Sequence, residues 1–200
     1  MKKSIVLFVT VIFFISACSV YKTIVNISRL KYKLHSVSDF NLNGISVDRK
    51  SKLSDFSPVE MLKLTSFFSS GKLPVTFNLN IEAKNPNDGS GGYATTDITI
   101  KAFNWDLFLN NKKTFSGGID KIINVPGVGT NTIIPLKVEF DLIKLAENGS
   151  LEDIIKLALS LGGINKSTAN IEVIAKPILG TPIGDLTYPE PIKIVDKQFN

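Results

Sequence analysis

The chain is poor in the residues that most often carry chemistry. Its 200 residues include one cysteine, one histidine, one tryptophan and two methionines. The single cysteine, Cys18, excludes an intrachain disulfide and any cysteine-cluster metal site. The single histidine, His35, has no second imidazole to share a zinc ion, and as a triad base it would need a serine and a carboxylate brought to it. Its setting, RLKYKLHSV at 29–37, marks neither role, so it reads as a structural or solvated side chain. No apolar run reaches the ~20 residues that cross a bilayer. A formal net charge of +5 is too mild to point to nucleic acid. There is no low-complexity tract, linker or long repeat.

The N-terminus is informative. Met1-Lys2-Lys3 is followed by thirteen largely apolar residues, Ile5 to Ala17. That is the length of a signal-peptide core. The run ends in Ile15-Ser16-Ala17-Cys18. This tetrad resembles a bacterial lipobox, with the ordinary signal peptide and chance cysteine as the alternative. A lipobox implies cleavage before Cys18, an S-diacylglycerol on its sulfur and an N-acyl group on its amine. Two or more acyl chains hold a protein firmly at a membrane, since each buried CH₂ adds ~0.8 kcal/mol. Cleavage would leave 183 residues and remove Lys2 and Lys3, lowering the formal charge to +3. The expected organisation is a signal peptide at 1–17, a membrane-proximal tether at 18–35 and one domain at 36–196. The tether holds Lys22, Arg29, Lys31 and Lys33 and no acid. Two readings of those bases stay open: contact with anionic headgroups, or lysines protecting an exposed edge strand. Ser19 after the cysteine favours an outer-membrane address in enterobacterial sorting.

Beyond the tether the pattern is mainly period two. FNLNGISV (40–47) predicts a strand bulged at Gly44. KLPVTFNLNIEAKN (72–85) alternates most cleanly, with Leu73, Val75, Phe77, Leu79, Ile81 and Ala83 on one face. TDITIKAFNWDLFLN (96–110) changes phase at Ala102-Phe103, which predicts a bulge or face swap and puts Phe108 out of step with Trp105 and Leu107. Asn110-Asn111 reads as a turn before a returning strand at 113–122. Pro126-Gly127 suits a type II turn. TIIPLKVEFDL (132–142) alternates again, and two last strands lie near 167–177 and 186–195. Pro189 and Pro191 confine the last of these to an edge.

Two segments keep a helical rhythm. At 58–69, Ser57 stands at the N-cap, Pro58 at the first turn and Glu60 at the capping-box position, with Met61, Leu64 and Phe68 on one face, Leu62 beside them and Gly71 as the terminator. At 151–161, Ser150 and Asp153 form a second box ahead of Leu151, Ile154, Ile155, Ala158 and Leu161, and Gly162 ends the helix. About seven strands and two short helices, without βαβ alternation, predict an antiparallel β-sandwich.

The order of motifs carries a resemblance. Asn85-Pro86-Asn87, a glycine-rich loop, the Trp105-Leu107-Leu109 strand, Gly117 or Gly118, then Pro126, Pro135 and Leu136 follow one another as in the late embryogenesis abundant (LEA) type 2 group, the LEA14-like or WHy (water stress and hypersensitive response) domain. The likeness covers about 72–142 closely and extends toward 195. The long DGSGG loop and the Asn110-Asn111 turn depart from the family pattern. It implies an immunoglobulin-like or fibronectin-III-like sandwich with outside helices, no catalytic residues, no cofactor, and, from the plant members, a link to desiccation stress.

As a site, Asn85-Pro86-Asn87 is weak. NPNDG (85–89) lacks the alternating acids and final Glu of a calcium loop, and Gly89, Gly91 and Gly92 do not open a helix as a phosphate loop would. Pro86 has no N–H and forces Asn85 to stay extended, so the strand must leave the ladder there. The asparagines are expected to satisfy freed backbone groups, and Asn85→Ala to cost roughly 1 kcal/mol. No metal or catalytic site is expected. Two functions remain: protection through weak, broad contacts by a lipid-anchored envelope protein facing the periplasm, or a carrier or docking module for a lipid, apolar ligand or envelope partner. Nucleic acid is not an expected partner. A well-packed core favours the first; a cavity or contiguous apolar patch favours the second.

Overall fold

The computed structural model describes residues 25–26, 28–90, 94–145, 149–164, 171–181 and 184–195. The predicted signal peptide, Cys18, the tether up to residue 24, Gly91, Gly92 and the residues around 165–170 lie outside these. The described residues include ten strands, three α-helices and a short 3-10 helix at Leu53–Asp55: β1 (Lys31–Leu42), β2 (Ile45–Ser46), α1 (Pro58–Ser69), β3 (Pro74–Lys84), β4 (Ile98–Leu109), β5 (Lys112–Ile119), β6 (Ile123–Val125), β7 (Thr132–Asp141), α2 (Leu142–Leu145), α3 (Leu151–Gly162), β8 (Ile171–Thr181), β9 (Gly184–Thr187) and β10 (Ile192–Val195). They build two antiparallel sheets, one in the order β2-β1-β3-β7 and one in the order β10-β8-β4-β5, with β6 beside β4 and β9 beside β8. This is the mainly-β, sandwich-like architecture the alternation predicts. The strand number exceeds seven because β2, β6 and β9 are short edge pieces.

The inner faces of the two sheets meet in one core. Phe40 stacks on Phe77 with ring centres 4.9 Å apart, Tyr32 tilts against Phe103 at 5.8 Å, and Trp105 tilts against Phe115 at 5.4 Å. On β3, Val75, Phe77, Leu79, Ile81 and Ala83 are buried and Thr76, Asn78 and Asn80 are half-buried on the outside, as a period of two requires. On β4 the register against β8 shifts between Ile100 and Ala102, so Phe103, Trp105, Leu107 and Leu109 turn inward and Phe108 sits half-buried on the outer face. The predicted phase change is this bulge. β10 is an edge strand, as its flanking prolines require.

Several expectations need correction. The first strand begins at Lys31, nine residues before the predicted start, so Lys31 to His35 belong to the sheet. Two register shifts on β1, between Leu34 and Ser36 and between Ser38 and Asn41, break its alternation and hide it from a period-two reading. Asp39 sits in the second shift at φ +56°, and its carboxylate accepts from Asn78 Nδ2 at 2.8 Å. Gly44 is not a bulge: Asn43 and Gly44, at φ +46° and +85°, form the turn of the β1–β2 hairpin. Asn110 and Asn111 do the same for β4–β5, both at positive φ. Pro126-Gly127 is not a type II turn, since the positive φ falls on Gly129.

Both helices start at the predicted caps. Ser57 Oγ accepts from Glu60 N and Glu60 returns the bond; Ser150 and Asp153 repeat the pattern. Gly71 follows α1 at φ +72°. Leu62, however, is exposed with Val59, because α1 meets the core through Leu64 and only partly through Met61, Phe67 and Phe68. Gly162 does not terminate α3 by a left-handed turn. It is buried in the last turn, against Phe40, and Gly163 is the extended C-cap.

Candidate functional site

The motif residues converge at one end of the sandwich, where β3 leaves the sheet. Asn85 is almost fully buried. Its Nδ2 donates to Thr96 O at 2.8 Å and to Val125 O at 2.9 Å. Its Oδ1 accepts from Asn87 N at 3.1 Å and from Asn87 Nδ2 at 2.9 Å. Asn87 has no exposed surface and reaches the incoming chain: its Nδ2 donates to Asn26 O at 2.8 Å, and its Oδ1 accepts from Arg29 Nη1 at 3.0 Å. Asn26 Nδ2 in turn donates to Thr96 Oγ1 at 3.2 Å. Pro86 releases the chain from the ladder so that both side chains turn inward.

Pro126 positions Gly127 over this network. A Cβ on Gly127 would stand 2.4 Å from Asn87 O and 2.8 Å from Thr96 O. Glycine is required there by close approach, not by a turn type. Its N–H donates to Asp97 Oδ1 at 2.9 Å. Trp105 lies elsewhere, on the inner face of β4. Gly117 stands opposite it in register, where a Cβ would come within 2.5 Å of the indole. So of the two glycines that match the family position, Gly117 is the one that makes room for Trp105. Asn85, Asn87 and Trp105 are buried, Pro86 and Pro126 are half-buried, and the amide groups of the two asparagines are bonded within the fold.

Sequence reasoning missed a charged cluster on the outer face of the four-stranded sheet. Glu82 is buried on β3, and its carboxylate takes Lys33 Nζ at 3.1 Å, His35 Nδ1 at 3.0 Å and Asn131 Nδ2. Register makes the cluster, since Lys33 is the Cα partner of Glu82. In the sequence Glu82 is one more polar outward position of an alternating strand, after Thr76, Asn78 and Asn80, so no local signal marked its burial. Burial pushes the Glu82 carboxyl up, but the bonds and charges of Lys33 and His35 outweigh it and the net shift is downward. A carboxylate with a depressed pKa stabilises the fold above its ordinary value of 4.5 and loses that contribution as pH falls through the lowered one. Urea titrations below pH ~4.5 should therefore show a steeper loss of stability in the wild type than in Glu82→Gln. Equal slopes would remove Glu82 from the acid transition.

A second feature is Tyr32. Its side chain is fully buried, and among the described residues no group bonds its hydroxyl. Burial first, and the neighbouring Tyr188 second, push that hydroxyl's pKa upward. Tyr188 lines an open cleft of about 420 Å³ between the start of β1 and the β10 edge, with Leu30, Pro191, Ile192 and Val195. Tyr188 Oη donates to Ser28 O at 3.1 Å across it. An unpaired buried polar atom costs about 1–3 kcal/mol, so Tyr32→Phe should raise stability by about 1 kcal/mol in urea denaturation. A loss of the same size would mean that the hydroxyl finds a partner in solution.

Among the described residues no group of three or more His, Cys, Asp or Glu side chains is arranged to hold a metal ion. No protein-family model and no curated protein matches the chain. Two solved structures are similar. One is a crystal structure of a protein from Archaeoglobus fulgidus, with 10% identity over 80% of this chain and 94% of that one, at a TM-score of 0.34. The other is the solution structure of a candidate late embryogenesis abundant protein, with 15% identity over 86% of this chain and 75% of that one, at a TM-score of 0.38. Scores this low leave the superpositions too loose to assign a fold or a function.

Proposed function

We propose that this chain is a non-catalytic, lipid-anchored protein of the bacterial cell envelope, built on a LEA type 2-like sandwich and protecting its surroundings under water stress through weak, broad contacts. The observation that carries this reading is the use of the motif residues. Asn85, Asn87, Trp105 and Gly127 are engaged inward, in backbone satisfaction and close packing, and Pro86 and Pro126 are half-buried beside them. The space under α3 is likewise occupied by Ile154, Ile155, Ala158 and Leu161. What such a domain offers its surroundings is its outer surface, chiefly polar strand faces such as Thr76, Asn78 and Asn80.

Anchoring is tested by metabolic labelling with an alkynyl fatty acid. The wild type should take up label and Cys18→Ala should not; label persisting in Cys18→Ala would refute the lipobox. Protection is tested by drying a client enzyme with and without the acylated protein. The cleft beside Tyr188 supports a second reading, a carrier of a ligand with an apolar body and a polar end, because Leu30, Ile192 and Val195 line it together with Glu190 and Lys193. Native mass spectrometry separates the two: a stoichiometric co-purified lipid would favour the carrier, and client protection without one would favour the protectant.

A further inference from the structure

We propose that the corner made by β6, the loop after it and the start of β7 is the face this domain lays on a lipid bilayer, with Val128 at the point of contact; the proposal rests on the anchoring reading above. Large apolar side chains that are exposed among the described residues are Val59, Leu62, Ile122, Val128, Ile133 and Ile164, and three of these six fall within twelve successive residues at this corner. Thr132 Oγ1 donates to Asn124 O at 3.4 Å, which holds the start of β7 against β6, so that Val128 stands in the loop between the two strands.

The incoming chain reaches the domain at the same place. Asn26 is held by Asn87 and Thr96, and those same residues pack against the backbone of Gly127, one position before Val128. Cys18 is eight residues before Asn26, a stretch that spans at most ~29 Å when fully extended. An acylated Cys18 therefore keeps this end near the headgroups. The other exposed pair, Val59 and Leu62, lies on α1, which leads into the start of β3, and β3 runs roughly 35 Å from that start to the end that carries Asn85. Tether and apolar corner act together, since each contact lowers the entropic cost of the other.

Charge has little part in this contact. Arg29, Lys31, Lys84 and Lys121 stand around the corner, but so do Asp88, Asp97 and Asp120, and Glu82 is engaged by Lys33 and His35. The contact is accordingly expected to resist salt, unlike docking through a basic patch.

The test uses the acylated full chain in vesicles of phosphatidylethanolamine and phosphatidylglycerol. Cys18 is the sole cysteine and its sulfur is a thioether once acylated, so Val128→Cys supplies one thiol for an environment-sensitive fluorophore. Leu62→Cys is the control at the far end. Both positions are exposed, so both variants should melt like the wild type. The label at 128 should emit at shorter wavelength on vesicles, be quenched by lipids carrying a quencher in the upper acyl chain, and keep that signal in 0.5 M salt (about five times the ionic strength at which the Debye length is ~10 Å), while the label at 62 emits as in water. A water-like label at 128 on protein that floats with the vesicles would overturn the proposal and leave the anchor intact. A shift at 62 in place of 128, or loss of the 128 signal in salt, would overturn it too. Wild-type protein that neither floats nor takes up acyl label, with Cys18 itself reacting with the fluorophore, would sink the anchoring reading and this proposal with it.

Discussion

Replacing Asn85 with alanine is expected to lower the free energy of unfolding by about 3 kcal/mol, several times the effect of an ordinary surface asparagine. The side chain makes four bonds, two donated to main-chain carbonyls, one in the loop before β4 and one at the end of β6, and two accepted from Asn87. Alanine leaves Thr96 O, Val125 O and the Asn87 donors short of partners in a site with little access to water. Each such group costs about 1–3 kcal/mol when fully orphaned, and partial relaxation reduces the sum. Asn85→Asp should be no better. It is nearly isosteric, but it sets a carboxylate oxygen against the two carbonyls that the amide now serves. Urea denaturation with an unchanged m-value is the measurement. A loss below about 1 kcal/mol for alanine, or a neutral aspartate, would show that the network is not what holds this end together.

The second large effect is expected at Gly162. Helix propensity alone says that Gly162→Ala should stabilise α3 by about 1 kcal/mol. Packing says the opposite and wins. The added Cβ would stand 2.1 Å from Phe40 Cγ and 2.4 Å from Phe40 Cβ. Phe40 is fully buried and stacked on Phe77, so it has no room to retreat. Either α3 lifts from β1 or Phe40 leaves its rotamer, at a net cost of about 2–3 kcal/mol. Phe40→Ala removes Cγ and Cδ2, two of the three atoms nearest the added methyl, so the double variant should be more stable than the two single losses predict, with a coupling of about 1 kcal/mol or more. A stabilised Gly162→Ala would mean that α3 is not seated on Phe40.

The contrast between these two positions shows how much was legible beforehand. Asn85 announced itself locally: proline after it ends the ladder, and asparagine is the residue that satisfies backbone at such an end. What it satisfies was not legible, because Thr96 and Val125 lie 11 and 40 positions away. That is why a cost of roughly 1 kcal/mol looked sufficient from the chain alone. Gly162 was misread as a helix terminator, since a glycine after an apolar helical run commonly is one. Only the packing of α3 across β1 shows it as a space for Phe40. Gly127 is a similar case: Pro-Gly suggested a turn type, whereas the residue is needed because Asn87 O passes so close to it.

The sequence by itself determined the elements and their inward faces. Alternation marked β3, β4 and β7, the two capping boxes marked the helix starts, and Asn110-Asn111 marked a hairpin, because each is a signal carried by near neighbours. The tertiary structure alone decided what depends on register and on distant chain crossings. Bulges on β1 hid its alternation and its true start at Lys31. Pairing of β1 with β3 placed Lys33 and His35 on Glu82. The meeting of Asn26, Asn87, Thr96 and Gly127 joined the incoming chain to an exposed apolar corner. Each of these joins segments far apart in the chain, and no local pattern records which segments will meet.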